Sequence, residues 1–241
     1  MNNVRQEEID QFSKDSSHWW DPNGPFKPLH KLNPVRVEYI RNMILGHFGS
    51  KKLNKLSLVD VGCGGGLVCE PFARQGLSVS GLDADENAIN VANEHATQKG
   101  LNINYQVNLI EDVKKTYDVV LALEIIEHVP EPEKFVQDCL RICKPGGIII
   151  FSTLNRTAKS YALGIVAAEY ILNWVPKGTH NWKQFIKPSE LAKWVRGNKA
   201  EVKEISGLRY HPFSDRFSMD AKDVDVNYFL VAGKETSASR K

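Results

Sequence analysis

From residue 56 onward, short runs that are apolar or alternate apolar with polar are interleaved with longer stretches whose apolar positions recur every three or four residues. The runs 56–61, 78–82, 102–107, 117–123 and 147–154 read as strands. Stretches 68–75, 87–99 and 132–143 have helical spacing, with Ala88, Val91, Ala92 and Ala96 marking one face. This alternation predicts βαβ units, hence a parallel sheet with helices on both faces. Two last β-like runs, 201–210 and 227–233, have only a polar stretch between them, which predicts an antiparallel hairpin on the sheet edge. The expected fold is α/β with seven strands, five parallel plus the hairpin. Asn33-Pro34 reads as an N-cap and first helical residue, opening a helix to about residue 45. A second extra helical segment, 161–175, follows the fifth strand.

The chain has 241 residues and no evident linker or repeat, so one domain is expected over 1–241. Within it, 1–50 forms an N-terminal helical cap and 155–187 an insertion. With 31 basic against 29 acidic residues the net charge is +2, which offers no field for phosphate neutralisation and argues against nucleic acid as a partner. Neither an Asn/Asp-Pro-Pro-Tyr motif nor a Pro-Cys nucleophile is present. Cys63, Cys69, Cys139 and Cys143 lack zinc-site spacing and read as reduced thiols of a cytoplasmic protein. The polar, acidic start of the chain predicts no export leader.

Asp60-Val61-Gly62-Cys63-Gly64-Gly65-Gly66 joins the end of the first strand to a helix. Glycines at 62, 64 and 66 let backbone approach a ligand that a Cβ would exclude. Asp83 lies 21 residues after Gly62, where a carboxylate can accept both hydroxyls of a ribose. A nicotinamide dinucleotide site needs a third small residue where Leu67 stands. The G-x-G-x-G spacing and the terminal hairpin instead indicate a class I, Rossmann-like methyltransferase that binds S-adenosylmethionine through Asp60, Gly62, Gly64, Gly66 and Asp83. Lys144-Pro145-Gly146-Gly147 is a second marker, read as a helix stop and glycine turn leading into the fifth strand.

The fourth strand delivers Glu124-Ile125-Ile126-Glu127-His128 to the carboxyl edge of the sheet, where ligands bind in open α/β folds. One helical turn over 124–128 would put both carboxylates and the imidazole on one side. Methylating a phenol requires its ionisation, which costs about 4 kcal/mol at neutral pH for a pKa near 10. Two readings stay open beside a merely structural one. His128, with Glu127, serves as general base, or Glu124, Glu127 and His128 hold a divalent ion such as Mg2+ that acidifies a catechol.

With these residues, the chain resembles the ubiquinone biosynthesis O-methyltransferases, which methylate polyprenylated catechols and demethylubiquinols. Trp19-Trp20-Asp21, residues 26–30, Asn33-Pro34-Val35-Arg36, the glycine loop, 124–130, 152–156, 176–180 and 224–228 carry the resemblance. It implies cofactor contact by Arg36, Gly62, Asp83 and Leu123, with Arg36 meeting the methionine carboxylate, and a divalent ion on Glu124, Glu127 and His128. It also implies possible association with other enzymes of quinone synthesis. A non-catalytic cofactor-binding subunit of such an assembly is the rival from another class.

Residues 161–175 are too short, and too interrupted by Glu169 and Asn173, to span a bilayer. Beside Arg156, Lys159, Lys177, Lys183 and Lys187, the segment reads as a lid over a greasy substrate, a contact with anionic lipid at the inner face of the membrane, or ordinary core.

Overall fold

A strand buried on both faces carries apolar side chains at successive positions, and β4 (Tyr117–Leu123) does so from Val119 to Leu123. In the computed structural model, which describes residues 3–162 and 181–236, Val120 and Ala122 of β4 enter one core and Val119 and Leu121 the other. The same split recurs along β5 (Cys143–Leu154), with Ile149 and Phe151 opposite Ile148 and Ile150. The first core is covered by α5 (Pro132–Ile142) and α7 (Pro188–Gly197), through residues such as Phe135, Val136, Leu191 and Val195. The second is covered by α2 (Lys27–Phe48), α3 (Cys69–Arg74) and α4 (Glu86–Gln98), through Ile40, Ile44, Phe72 and Ala92.

With β1 (Ser57–Val61), β2 (Ser78–Asp83), β3 (Asn104–Val107), β6 (Ala200–His211), β7 (Arg216–Asp220) and β8 (Asn227–Lys234), the sheet order is β3-β2-β1-β4-β5-β8-β6-β7. The first five strands in the order run parallel, and β8, β6 and β7 pair antiparallel. The expected hairpin partners β6 and β8 do pair, with β8 seated between β6 and β5. An eighth strand, β7, forms in the stretch expected to be only polar. Its Phe217 and Met219 alternate inward onto the second core.

Two further expectations are corrected. Asn33 is no cap: α2 is 22 residues long, begins at Lys27-Pro28 and runs straight through Pro34. Pro34 has no N–H for the His30 carbonyl, a loss of about 3 kcal/mol in an isolated helix, and burial of Leu32, Tyr39, Ile40 and Ile44 carries the helix past it. Asn33 instead bridges, donating from Nδ2 to the Leu67 carbonyl (2.8 Å) and accepting from Arg36 Nε (2.7 Å). Strand β5 starts before the glycine turn, at Cys143, and its register against β4 shifts between Tyr117 and Val119. Beyond Tyr161 and Ala162, the apolar segment 161–175 lies outside the described residues.

Outside these elements, the N-terminal α1 (Gln6–Ser13) and the short α6 (Ala158–Ser160) flank the carboxyl edge. At the opposite edge, Asp118 ties three strands. Its Oδ2 accepts from the Ser57 backbone (2.8 Å), the Ser57 hydroxyl (2.6 Å) and Lys144 Nζ (2.8 Å). Partial burial alone would raise its pKa, and these hydrogen bonds outweigh it and hold the carboxyl below its ordinary value.

Asp118→Ala leaves these donors without their acceptor and is expected to cost about 1–3 kcal/mol in urea unfolding at pH 7. The folded pKa lies below the unfolded one, so the stabilisation is complete above about pH 4 and fades as pH falls below that. The gap between wild type and variant should therefore narrow in acid; a gap that stays constant or widens contradicts the assignment.

Candidate active site

The carboxyl ends of β1, β2 and β4 open onto a cavity of about 310 Å³. Arg36, Asp60, Gly62, Gly64, Asp83, Leu123, Glu124, Glu127 and His128, all expected at the site, line it together. Gly66 does not. It makes the turn into α3, donating to the Cys63 carbonyl (3.0 Å) and accepting from the Glu70 amide (3.2 Å). Its φ is +86°, and a Cβ there would lie 2.1 Å from the Tyr105 hydroxyl, so a packing constraint requires this glycine.

Gly64 has φ +50° and donates its amide to Asp83 Oδ2 at 2.8 Å. Asp83 Oδ1 accepts from the Asp85 amide at 3.0 Å. The cap of α4 is Asp85, which accepts from the Asn87 amide, so Asp83 remains on the cavity wall. Burial raises the Asp83 pKa, against backbone hydrogen bonds from Asp85 and Gly64 that lower it.

Arg36 projects from α2 into the same wall and is 5% exposed. Burial lowers its pKa, and the charges of Asp60 and Glu124 oppose that. Asp60 is pushed up to about 7 by burial, with Arg36 and the Cys69 thiol pulling back. A buried cation thus stands against two carboxylates, a set that suits a zwitterion carrying both an ammonium and a carboxylate.

The cluster after β4 departs from the expected helical turn. Glu124 has φ +53°, a left-handed conformation that costs a non-glycine residue about 1 kcal/mol or more. Ser152 Oγ and Asn227 Nδ2 hold its carboxylate at 2.6 and 3.0 Å, which directs it toward β5 and β8. The turn begins only at Ile125, whose carbonyl accepts from the His128 amide. Glu127 is buried and accepts from the Thr153 hydroxyl at 2.8 Å. Burial and then the neighbouring Glu124 charge raise its pKa. His128 Nδ1 faces Glu8 Oε2 at 2.9 Å. Burial works to lower the His128 pKa, but Glu8 and the acidic neighbours prevail and raise it.

Glu124, Glu127 and His128, expected to hold a divalent ion, share the cavity wall without forming a ready-made ligand cluster. Among the described residues no three His, Cys, Asp or Glu side chains are placed to hold a metal ion.

The N-terminal segment also reaches the cavity. Asn3, Glu8 and Trp19 line the cavity. Asn3 exchanges hydrogen bonds with the Glu131 backbone and donates its amide to Glu111, and Ser13 donates to Asp85. Residues 108–111, which also line the cavity, were missed too. Their place directly after β3, at the carboxyl edge of a parallel strand, was the available signal.

Residues 59–151 match the family model described as Methyltransferase domain. A ubiquinone biosynthesis O-methyltransferase of Idiomarina loihiensis is 49% identical over 239 residues, 98% of this chain and 96% of that protein. Another, from Bradyrhizobium sp., is 47% identical over 232 residues, covering 93% and 91%. Among solved structures, magnesium protoporphyrin IX methyltransferase from Synechocystis PCC 6803, crystallised with bound SAM, superposes with TM-score 0.64 over 98% of this chain and 100% of that one. At 16% identity that likeness shows the fold alone.

Gly64→Ala places a Cβ 2.4 Å from the Trp19 ring at a positive φ. A loss of about 1–3 kcal/mol in chemical denaturation is expected, with a shift in tryptophan emission as Trp19 is displaced. Wild-type stability and an unchanged spectrum would contradict the close approach.

Proposed function

The chain belongs to the ubiquinone biosynthesis O-methyltransferase family, and from that premise we propose how its residues perform the transfer. It is an S-adenosylmethionine-dependent O-methyltransferase of ubiquinone biosynthesis, acting on a quinone-type substrate. When bound, S-adenosylmethionine supplies an activated methyl group on a sulfonium.

The observation that carries our assignment is one cavity shared by Gly62, Gly64, Asp83, Arg36, Asp60 and His128. Asp83 accepts the ribose hydroxyls, and Gly62 and Gly64 leave room for the backbone to approach the nucleoside. Arg36 receives the methionine carboxylate, Asp60 faces the methionine ammonium, and Leu123 walls the chain between them. The acceptor is a polyprenylated catechol or demethylubiquinol, and His128 takes its phenolic proton through Nε2. The oxygen then attacks the methyl carbon in line as the carbon–sulfur bond breaks. Glu8 orients the imidazole through Nδ1, and buried Glu127 balances the charge the ring acquires. Held about 3–3.5 Å apart, the two reactants need no covalent enzyme intermediate.

A polyprenyl tail partitions into lipid, so we also propose that the protein meets its substrate at an anionic membrane surface, beside other enzymes of quinone synthesis. No described helix is long and apolar enough to cross a membrane. Two of the flanking cations have acidic partners: Arg156 pairs with Glu190, and Lys159 with Asp223 and Asp225. Support for membrane contact therefore rests on the apolar character of 161–175 and on the substrate.

Labelled methyl should pass from S-adenosylmethionine to a short-tail prenylated catechol. Asp83→Asn should weaken S-adenosylhomocysteine binding at least about tenfold in calorimetry, the loss of one charge-assisted hydrogen bond or more. His128→Ala should lower kcat by about 10²–10⁴, and raising the pH toward the phenol pKa should restore part of it. Retained neutral-pH turnover would remove the base role. Flotation with phosphatidylglycerol vesicles at low salt tests the membrane proposal, and absence of binding there sinks it.

A further inference from the structure

Three consecutive glycines, 64–66, have no side chains to select among backbone conformations, so a peptide between them can rotate at little steric cost. Something outside the loop must hold it in the form that receives a ligand. The peptide joining Gly65 and Gly66 is pinned at both ends. Its N–H donates to the Cys63 carbonyl within the loop (3.0 Å), and its C=O accepts from the indole Nε1 of Trp20 (2.9 Å). Trp20 comes from the N-terminal segment and is not on the cavity wall, whereas its neighbour Trp19 covers the inner side of the same loop.

The indole is itself held. Its ring stacks on the His95 imidazole of α4, with centroids 3.5 Å apart and planes within 10°. His95 Nδ1 meets Glu70 Oε1 at 2.5 Å, and Arg74 Nη2 meets Glu70 Oε2 at 2.5 Å. Glu70 is wholly buried on the first turn of α3, and its amide donates to the Gly66 carbonyl, so the support returns to the loop it serves. A buried carboxylate requires such partners to be tolerated at all.

We propose that Trp20, backed by His95 and Glu70, is a positioning residue for the methyl donor: it fixes the Gly65 carbonyl outward and thereby the curvature of loop 62–66 against the cavity. This rests on the S-adenosylmethionine reading of that cavity. Trp20 touches neither reactant, so its loss acts on binding of the donor, not on the chemical step.

Trp20→Phe keeps an aromatic ring over His95 and removes only the donor. It is expected to raise the S-adenosylhomocysteine Kd and the KM for S-adenosylmethionine about five- to tenfold, the equivalent of one neutral hydrogen bond. The KM for the catechol and kcat at saturating donor should stay within about twofold of wild type. Hydrogen exchange in the 62–66 peptide should quicken in the ligand-free protein. His95→Leu, which removes the ring behind an intact indole, should shift Kd in the same direction and serves as the readout if Trp20→Phe does not fold. Wild-type Kd in either folded variant overturns the inference, as does a fall in kcat with the donor KM unchanged. If the wild-type protein itself binds no S-adenosylhomocysteine, the methyl-donor reading fails first and takes this one with it. Binding by wild type with no effect of the variants removes the positioning role alone.

Discussion

A parallel strand packed on both faces has no place for polar chemistry except its ends. That constraint orders this molecule. Cores on each side of the sheet seal the middle of β1, β4 and β5, so Asp60, Asp83, Glu124 and Glu127 gather where the strands stop. Burial in this poorly solvated space drives Asp60, Asp83 and Glu127 toward protonation, and repulsion from neighbouring carboxylates adds to it. Arg36 offsets part of that for Asp60. Hydroxyl and amide donors on β5 and β8 take up the Glu124 and Glu127 oxygens.

Closure of the cavity is a task the sheet leaves to the chain before it. Trp19 lies over Gly64 and Gly65, Trp20 holds the Gly65 carbonyl, and Glu8 meets His128 from 120 residues away. The cavity is therefore a joint product of a rigid sheet edge and a segment fastened to it by a few polar contacts.

Much of this was readable beforehand because it depends on local pattern. Strands β1, β2 and β4 and helix α4 announce themselves by apolar periodicity, and the glycine loop by its spacing after a strand and before Asp83. Arg36 and Leu123 entered only through family resemblance, since an arginine on a helix and a leucine ending a strand carry no signal alone. Asn33-Pro34 misled because a cap and proline are locally indistinguishable from a proline that packing carries through a helix. Strand β7 was hidden in polar residues because pairing with β6, not its composition, makes it a strand.

The sequence by itself determined the parallel sheet, the residues at its carboxyl edge and the kind of nucleoside-bearing ligand they suit, because hydrophobic period and glycine spacing act over a few neighbours. Only the tertiary structure decided that Gly66 packs instead of lining the cavity, that Glu124 takes a left-handed backbone with its carboxylate held by Ser152 and Asn227, and that Glu8 reaches His128 and Trp20 the glycine loop. Each of those outcomes depends on contacts between segments distant in the chain, which no local pattern encodes.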